Sequence, residues 1–264
     1  MTLLTRTLTG LALAAAIAIV ARHARSLSGT GAWAATVIGT LATAAGWRWC
    51  VVLLAFFFSS TLLSRWRRAP KEQATRAVVE KGGNRDAWQV LANGGVFALC
   101  ALGAIVVPSA PWALAGVGAL AAATADTWAT EVGTAIGGIP RTIFGWVPVP
   151  AGTSGAVSWA GTLAMVTGAA FLGTVAAYAG FDWRVGGAVV AGGVAGALAD
   201  TLLGATLQAG RWCPACLAPT ERKVHHCGTV TAHRAGWEFL DNDAVNLTSC
   251  VAGAVVALLV GRVT

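Results

Sequence analysis

The chain has 264 residues, 56% of them hydrophobic and only 11% charged, with 18 Lys and Arg against 11 Asp and Glu. An average soluble domain carries about 25% charged residues, so the composition excludes a water-soluble globule and points to a polytopic membrane protein. The formal net charge of +7 is spread over loops that flank apolar runs and is not gathered on one soluble face, which excludes nucleic acid as the expected partner.

A membrane-crossing helix needs about 20 apolar residues. Runs of that kind fall at 3–21, 27–46, 47–64, 88–107, 111–128, 156–178, 185–208 and 243–261. The expected fold class is all-α: a polytopic helical bundle of about eight transmembrane helices, forming a single transmembrane domain over 1–264 with a cytoplasmic loop at 209–240. Arg6, inside the first run, has to snorkel to the surface. That run is not read as a cleavable signal, because Arg22 and Arg25 follow the apolar stretch instead of preceding it. Most Lys and Arg lie in the loops after the first, third, fifth and seventh runs, whereas Arg6, Arg48, Arg184 and Arg262 fall on the other side. The positive-inside rule then puts the charged loops in the cytoplasm and both termini outside the inner membrane. Trp47, Trp66, Trp88, Trp112, Trp146, Trp183 and Trp212 sit near run ends, where amphipathic rings settle at the interface.

Two runs end alike, in ADTWAT (125–130) and ADTLLG (199–204), and the returning runs begin alike, in SGAVS (154–158) and NDAVN (242–246). SSTLLS (59–64), RDAWQ (85–89) and TGAWA (30–34) read as fainter copies. The pattern predicts tandem helical hairpins that descend to the cytoplasm and return, with a shared site at their junction. Ionisable groups inside spans are costly and functional by default, which singles out Asp126, Glu131 and Asp200. Glu131 is five residues from Asp126 and points about 140° away on a helix, so both reach one ion only if the helix breaks, as Gly133, Gly137 and Gly138 would permit. Hard carboxylates at a membrane face suit Mg²⁺ bridged to phosphates. The segment PAGTSGA (150–156) offers backbone N–H groups and hydroxyls at Gly152, Thr153 and Ser154 for a phosphate cradle. Arg141 and Arg85 are placed to neutralise phosphate charge. Asn242 and Asn246 share one helical face, as do Asp86, Gln89 and Asn93; these amides serve a head group or helix packing.

Three cysteines, Cys50, Cys100 and Cys250, sit in apolar runs as small hydrophobes. The last long loop carries CPAC (213–216) and HHC (225–227), a spacing that closes a tetrahedral Zn²⁺ site through Cys213, Cys216, Cys227 and His226, with His225 as the alternative. Four protein ligands make such a site structural, and a disulfide is not expected in a cytoplasmic loop.

ADTWATEVG (125–133), VPVPAGTSGAVS (147–158), ADTLLGATLQ (199–208) and LDNDAVN (240–246), together with GGNRDAWQVLANGG (82–95), resemble the membrane family that includes plant phytyl-phosphate kinase. The resemblance runs in the same order from about residue 28 to 260 and is more distantly similar to dolichol and phytol kinases, which use CTP or another nucleoside triphosphate. It implies a prenyl-phosphate kinase that makes an isoprenoid diphosphate, with nucleoside triphosphate and isoprenoid phosphate lipid as partners and Mg²⁺ as cofactor. The residues carried over are Asp126, Glu131, Asp200 and Arg141 as catalytic, and Arg85, Asn93, Gly152, Thr153, Ser154, Asn242 and Asn246 as substrate-binding. A homodimer is compatible with this reading. The Cys/His cluster has no counterpart in the motifs that carry the resemblance. Two other readings fit the same residues: a transporter or lipid flippase built on tandem repeats, and a nucleotidyltransferase that would release pyrophosphate from the same substrates.

Overall fold

The computed structural model describes residues 1–108, 111–136 and 138–263. Among the described residues eight long helices and one short one follow the chain: α1 (Leu3–His23), α2 (Gly29–Ala45), α3 (Trp47–Arg65), α4 (Arg68–Thr75), α5 (Ala87–Val106), α6 (Trp112–Ile136), α7 (Trp159–Tyr178), α8 (Trp183–Thr206) and α9 (Asn242–Gly261). Five short strands depart from the all-α expectation: β1 (Arg141–Thr142) pairs with β2 (Ala156–Val157), and β3 (Gly210–Cys213) lies between β4 (Ala218–Thr220) and β5 (Ala232–Ala235). The protein is thus mostly helical and polytopic. Among the described residues six helices are long and apolar enough to cross a membrane: α1, α3, α5, α7, α8 and α9. The other two long helices fall short for different reasons. α2 has 17 residues, and α6 carries Asp126, Glu131 and several threonines in its second half.

The helices that return from the loop-rich face share one start signal. Ser28, Asp86, Ser158 and Asp241 cap α2, α5, α7 and α9, each accepting a hydrogen bond from the backbone N–H three residues on, a contact worth about 1 kcal/mol. Gln89 completes a capping box with Asp86. α1 packs on α2, α6 on α7, and α8 on α9, as the hairpin pattern predicts. α3 and α5, the fourth expected pair, share no extensive helix–helix interface and meet through the Trp49 and Phe97 rings, whose centres lie 5.3 Å apart; α2 contacts both. TGAWA and RDAWQ instead meet at their starts: Arg85 N–H donates to Ser26 and Ser28 N–H to Arg85. Gly31 is required there, since a Cβ would stand 2.1 Å from the Arg85 carbonyl oxygen.

The centre is α6, whose alanines 119, 121, 122, 123 and 125 are almost fully buried against neighbouring helices. Glycines allow this close approach. A Cβ on Gly196 would lie 2.3 Å from the Cβ of Ala122, one on Gly192 2.5 Å from the Gly253 carbonyl, and one on Gly118 2.4 Å from the Cβ of Ala257. The offset between Gly118 and Gly192 is the offset between Ala122 and Gly196, and also that between Asp126 and Asp200. Residues four apart lie on one helical face about one turn apart, so on side-by-side helices that constant offset brings the two aspartates level. The repeated ADT motif therefore marks a single place in the molecule.

Candidate active site

The connections at 24–28, 66–86, 138–158 and 207–241 all contribute to one open cavity of about 520 Å³ at the loop-rich end of the bundle. Asp126, Glu131, Asp200, Arg85, Asn93, Gly152, Thr153, Ser154, Asn242 and Asn246 line it. Arg141 does not: its Nη1 donates to the Trp146 carbonyl at 2.8 Å and the guanidinium lies 5.9 Å from the Trp146 ring centre, so β1 and its turn hold it away from the cavity. Its expected phosphate role has no geometric support.

Asp126 and Asp200 interact electrostatically across the α6–α8 contact, and Glu221 adds a third negative charge near Asp200. Oδ2 of Asp200 is buried and has no hydrogen-bond partner. Such an oxygen carries an uncompensated desolvation cost and is a hard donor directed into the carboxylate cluster.

Glu131 is arranged differently, and its expected place beside Asp126 is corrected. α6 continues unbroken through Glu131 and Gly133 to Ile136; Gly138 has φ +92°, beyond the helix end, and Gly137 lies outside the described residues. The 140° separation therefore stands. Glu131 faces α4, where it forms an ion pair with Lys71, and Ser64 Oγ donates to its other oxygen at 2.5 Å. Lys71 is 7% exposed and also donates to the Leu63 and Ser64 carbonyls at 2.7 and 3.2 Å, satisfying the C-terminus of α3. Arg65 donates to the Ala24 carbonyl at the end of α1, and Arg67 to that of Ala135 at the end of α6. Part of the basic excess thus serves helix ends, where the dipole favours cations. Arg85 Nη2 donates to Ser64 Oγ at 3.2 Å. Burial lowers the Arg85 pKa, an effect opposed by the charge of Glu131, and the guanidinium stays protonated regardless.

Lys81 bridges two carboxylates at the rim, Asp243 at 2.5 Å and the capping residue Asp86 at 3.1 Å. Burial works against both charges, yet the backbone N–H groups of α5 and the Lys81 ammonium hold Asp86 below its usual range, while Asp243 and Asp86 raise Lys81.

In the segment 150–156, Gly152 and Gly155 have φ +85° and +71°. Glycine is needed at 155, where a Cβ would lie 2.3 Å from Ala205 N. This presses the loop on the end of α8. Thr153 Oγ1 donates to the Pro150 carbonyl at 2.8 Å. Ser154 offers both its N–H (3.2 Å) and its hydroxyl (2.5 Å) to Glu221 Oε1, and Gln208 Nε2 donates to Ser154 Oγ at 2.8 Å. A carboxylate of the chain itself therefore occupies the expected anion cradle. Burial raises the Glu221 pKa, and the Ser154 donors pull it back.

Beside the cavity stands the Cys/His cluster. Ligand atoms of Cys213, Cys216, His225 and Cys227 all lie within 4.8 Å of one another and could hold a metal ion such as zinc. The histidine is His225, not His226: its Nδ1 is 3.3 Å from Cys227 Sγ, whereas His226 is exposed, its ring tilted against that of His225 with centres 4.1 Å apart. One of the two adjacent rings is buried against the thiols and the other exposed, a difference that spacing alone does not encode. The contacts of Cys227 with Thr229 and His225 lower its thiol to about 5, while Cys227 and Cys213 raise Cys216 to about 11.

Sequence reasoning missed Ser64, Lys71, Lys81, Glu221 and Asp243. Only Asp243, one residue from Asn242 in NDAVN, carried a signal that could have found it.

A bundle of apolar helices with a carboxylate-lined, basic-rimmed cavity at one end defines an integral membrane protein with a polar reaction or binding site. The chain belongs to the family described as integral membrane protein DUF92, whose model matches residues 12–254. It is 30% identical to the uncharacterized membrane protein MJ0933 of Methanocaldococcus jannaschii over 92% of this chain and 90% of that one. It is also 30% identical to protein PGR of Arabidopsis thaliana over 85% of both chains, and 27% identical to chloroplastic protein VTE6 of the same plant over 88% of this chain and 65% of that one. No solved structure matches.

Proposed function

We propose that the protein is a prenyl-phosphate kinase of the inner membrane, transferring the terminal phosphoryl group of a nucleoside triphosphate, with CTP favoured, to an isoprenoid monophosphate at a site facing the cytoplasm. The observation that carries the reading is the junction of two cavities. A narrow apolar cavity of about 110 Å³, walled by Leu13, Ile17, Leu53, Leu54 and Phe57, shares Arg85, Gln89, Asn93 and Thr127 with the charged cavity. An amphipathic lipid with its chain in the apolar part would put its phosphate at Arg85, where the two cavities meet; Thr127, which also lines both, is the neighbour of Asp126 on α6. The distant likeness to VTE6 and the resemblance to the family that includes plant phytyl-phosphate kinase support the same reading.

Phosphoryl transfer asks for positioning and charge neutralisation more than for covalent chemistry. The acceptor oxygen is already an ionised phosphate oxygen, so no general base is needed. It attacks the γ-phosphorus, the bond from that phosphorus to the β,γ-bridging oxygen breaks, and a nucleoside diphosphate leaves. Asp126 and Asp200 would hold Mg²⁺, which would neutralise the phosphates; the unpartnered Asp200 oxygen suits that hard cation. Arg85 anchors the acceptor, with Asn93 and Asn246 beside it.

The test is incubation of purified protein in detergent with Mg²⁺, geranylgeranyl or phytyl monophosphate and each γ-labelled nucleoside triphosphate. Labelled prenyl diphosphate with an equal yield of nucleoside diphosphate is expected. Release of pyrophosphate instead identifies a nucleotidyltransferase, and no product with any donor overturns the reading in favour of transport.

A further inference from the structure

The hairpin at 210–235 shows more than a cluster of ligands. A tetrahedral Zn²⁺ with Zn–S of about 2.3 Å places two bound sulfurs about 3.8 Å apart, and sulfur and nitrogen slightly closer. Sγ of Cys213 and Cys227 stand 3.7 Å apart, and His225 Nδ1 is 3.3 Å from Cys227 Sγ. Two tight turns present these atoms. In the first, Cys216 N–H donates to Cys213 Sγ at 3.4 Å, the backbone-to-sulfur bond that stabilises a thiolate. In the second, Gly228 N–H donates to the His225 carbonyl and His225 N–H to the Thr229 carbonyl, with Gly228 at φ +86°.

Between the two turns the chain runs along the cavity rim. Glu221 N–H donates to the Val78 carbonyl, Thr220 Oγ1 to that of Ala77 at 2.8 Å and Arg222 Nη1 to that of Val79 at 2.9 Å, while Lys223 N–H reaches Glu80 Oε1 at 3.3 Å. Residues 220–223 are strapped over 77–80, and the one side chain they turn inward to the 150–156 loop is Glu221, on Ser154. The hairpin has little apolar core of its own: β5 is exposed throughout and Val224 and Val230 face solvent. A small unit lacking a core needs a staple.

We propose that Cys213, Cys216, His225 and Cys227 bind one Zn²⁺, and that this ion fixes residues 220–223 across the cavity rim, making Glu221 a positioning residue for Ser154 and the 150–156 loop. The site is closed by four protein ligands and therefore structural. It goes beyond the kinase reading, because it holds whatever ligand the cavity takes. The metal determines where the third carboxylate sits and whether the Ser154 donors are ordered.

Metal content and hydrogen exchange test the two halves separately. Wild-type protein purified in detergent is expected to carry about one zinc per chain and, after exchange into Co²⁺, to show the d–d bands and thiolate-to-metal charge transfer of a tetrahedral site. His226→Ala is expected to retain the ion and His225→Ala to lose it. Absence of zinc together with a featureless Co²⁺ spectrum, or loss of metal in H226A but not in H225A, overturns the site. For the strap, amides of 150–156 are expected to exchange about ten-fold faster or more in wild-type protein stripped of metal than in the loaded form, since local protection follows the contacts that hold a segment. Glu221→Ala is expected to reproduce that acceleration with zinc still bound, and Glu221→Gln, which keeps an acceptor for Ser154, to restore most of the protection. Unchanged exchange at 150–156 in both the stripped protein and E221A overturns the positioning role.

Discussion

Two carboxylates on α6, one helical turn and a half apart, meet opposite environments in the same cavity. Glu131 is neutralised by Lys71 and accepts from Ser64, and Lys71 in turn closes the end of α3. Asp126 faces Asp200, another negative charge, and Asp200 keeps a buried oxygen with no partner. The first arrangement is a structural joint between α3, α4 and α6. The second is unfavourable by itself, and a bound cation, as proposed above, would relieve it. Charge inside a membrane bundle is thus divided between groups that hold helices together and groups left unpaired for a ligand, and the partners, more than the residue type, tell them apart.

That contrast is open to direct attack by substitution. The largest effect is expected at the unpaired site: Asp200→Asn lowers turnover by about 100-fold or more, on the scale of removing one preorganised charge from a reaction centre, while the melting temperature in detergent stays level or rises because a like-charge contact is relieved. At the paired site the order reverses. Lys71→Met leaves the partly buried Glu131 carboxylate without its cation and is expected to cost about 3 kcal/mol of stability, seen as a lower thermal midpoint, and the Lys71→Met/Glu131→Gln double variant recovers most of that loss. Arg85→Ala is intermediate in kind, raising KM for the lipid phosphate about ten-fold or more, as loss of a charged hydrogen bond does, with a smaller change in kcat. The smallest effect is expected at Arg141, whose guanidinium lies over Trp146: Arg141→Ala keeps kcat/KM within about two-fold, since residues outside the site contribute little.

The sequence made some of this readable and hid the rest, for physical reasons. Long apolar runs located the eight long helices because a bilayer demands length and hydrophobicity together, whereas the caps Ser28, Asp86, Ser158 and Asp241 emerged only with the structure. The level placement of Asp126 and Asp200 was written in the repeat, although the glycine contacts that enforce it appear only when α6, α8 and α9 are packed. Lys71 was invisible as a partner of Glu131, since it sits in a charged stretch that reads as a solvated loop and becomes buried only when α4 folds under α3. Glu221 was hidden for the same reason: its neighbours Arg222 and Lys223 make it look like surface. Arg141 misled in the opposite direction, because a lone cation in a loop near a glycine-rich segment looks aimed at phosphate until the turn containing Trp146 captures it. The choice between His225 and His226 depended on the direction of side chains in one tight turn, which spacing does not encode.

The central claim is that the Asp126–Asp200 pair, and not the Lys71–Glu131 pair, is the centre of phosphoryl transfer to a prenyl monophosphate. Its most direct test is the rate of prenyl diphosphate formation in wild type, in Asp200→Asn and in Lys71→Met/Glu131→Gln, with Mg²⁺ and the best nucleoside triphosphate. The account predicts a measurable rate in wild type, essentially none in D200N, and a rate within several-fold of wild type in the double variant, as expected for residues outside the chemistry. Diphosphate formed by D200N at the wild-type rate, or by no protein with any donor, would contradict it.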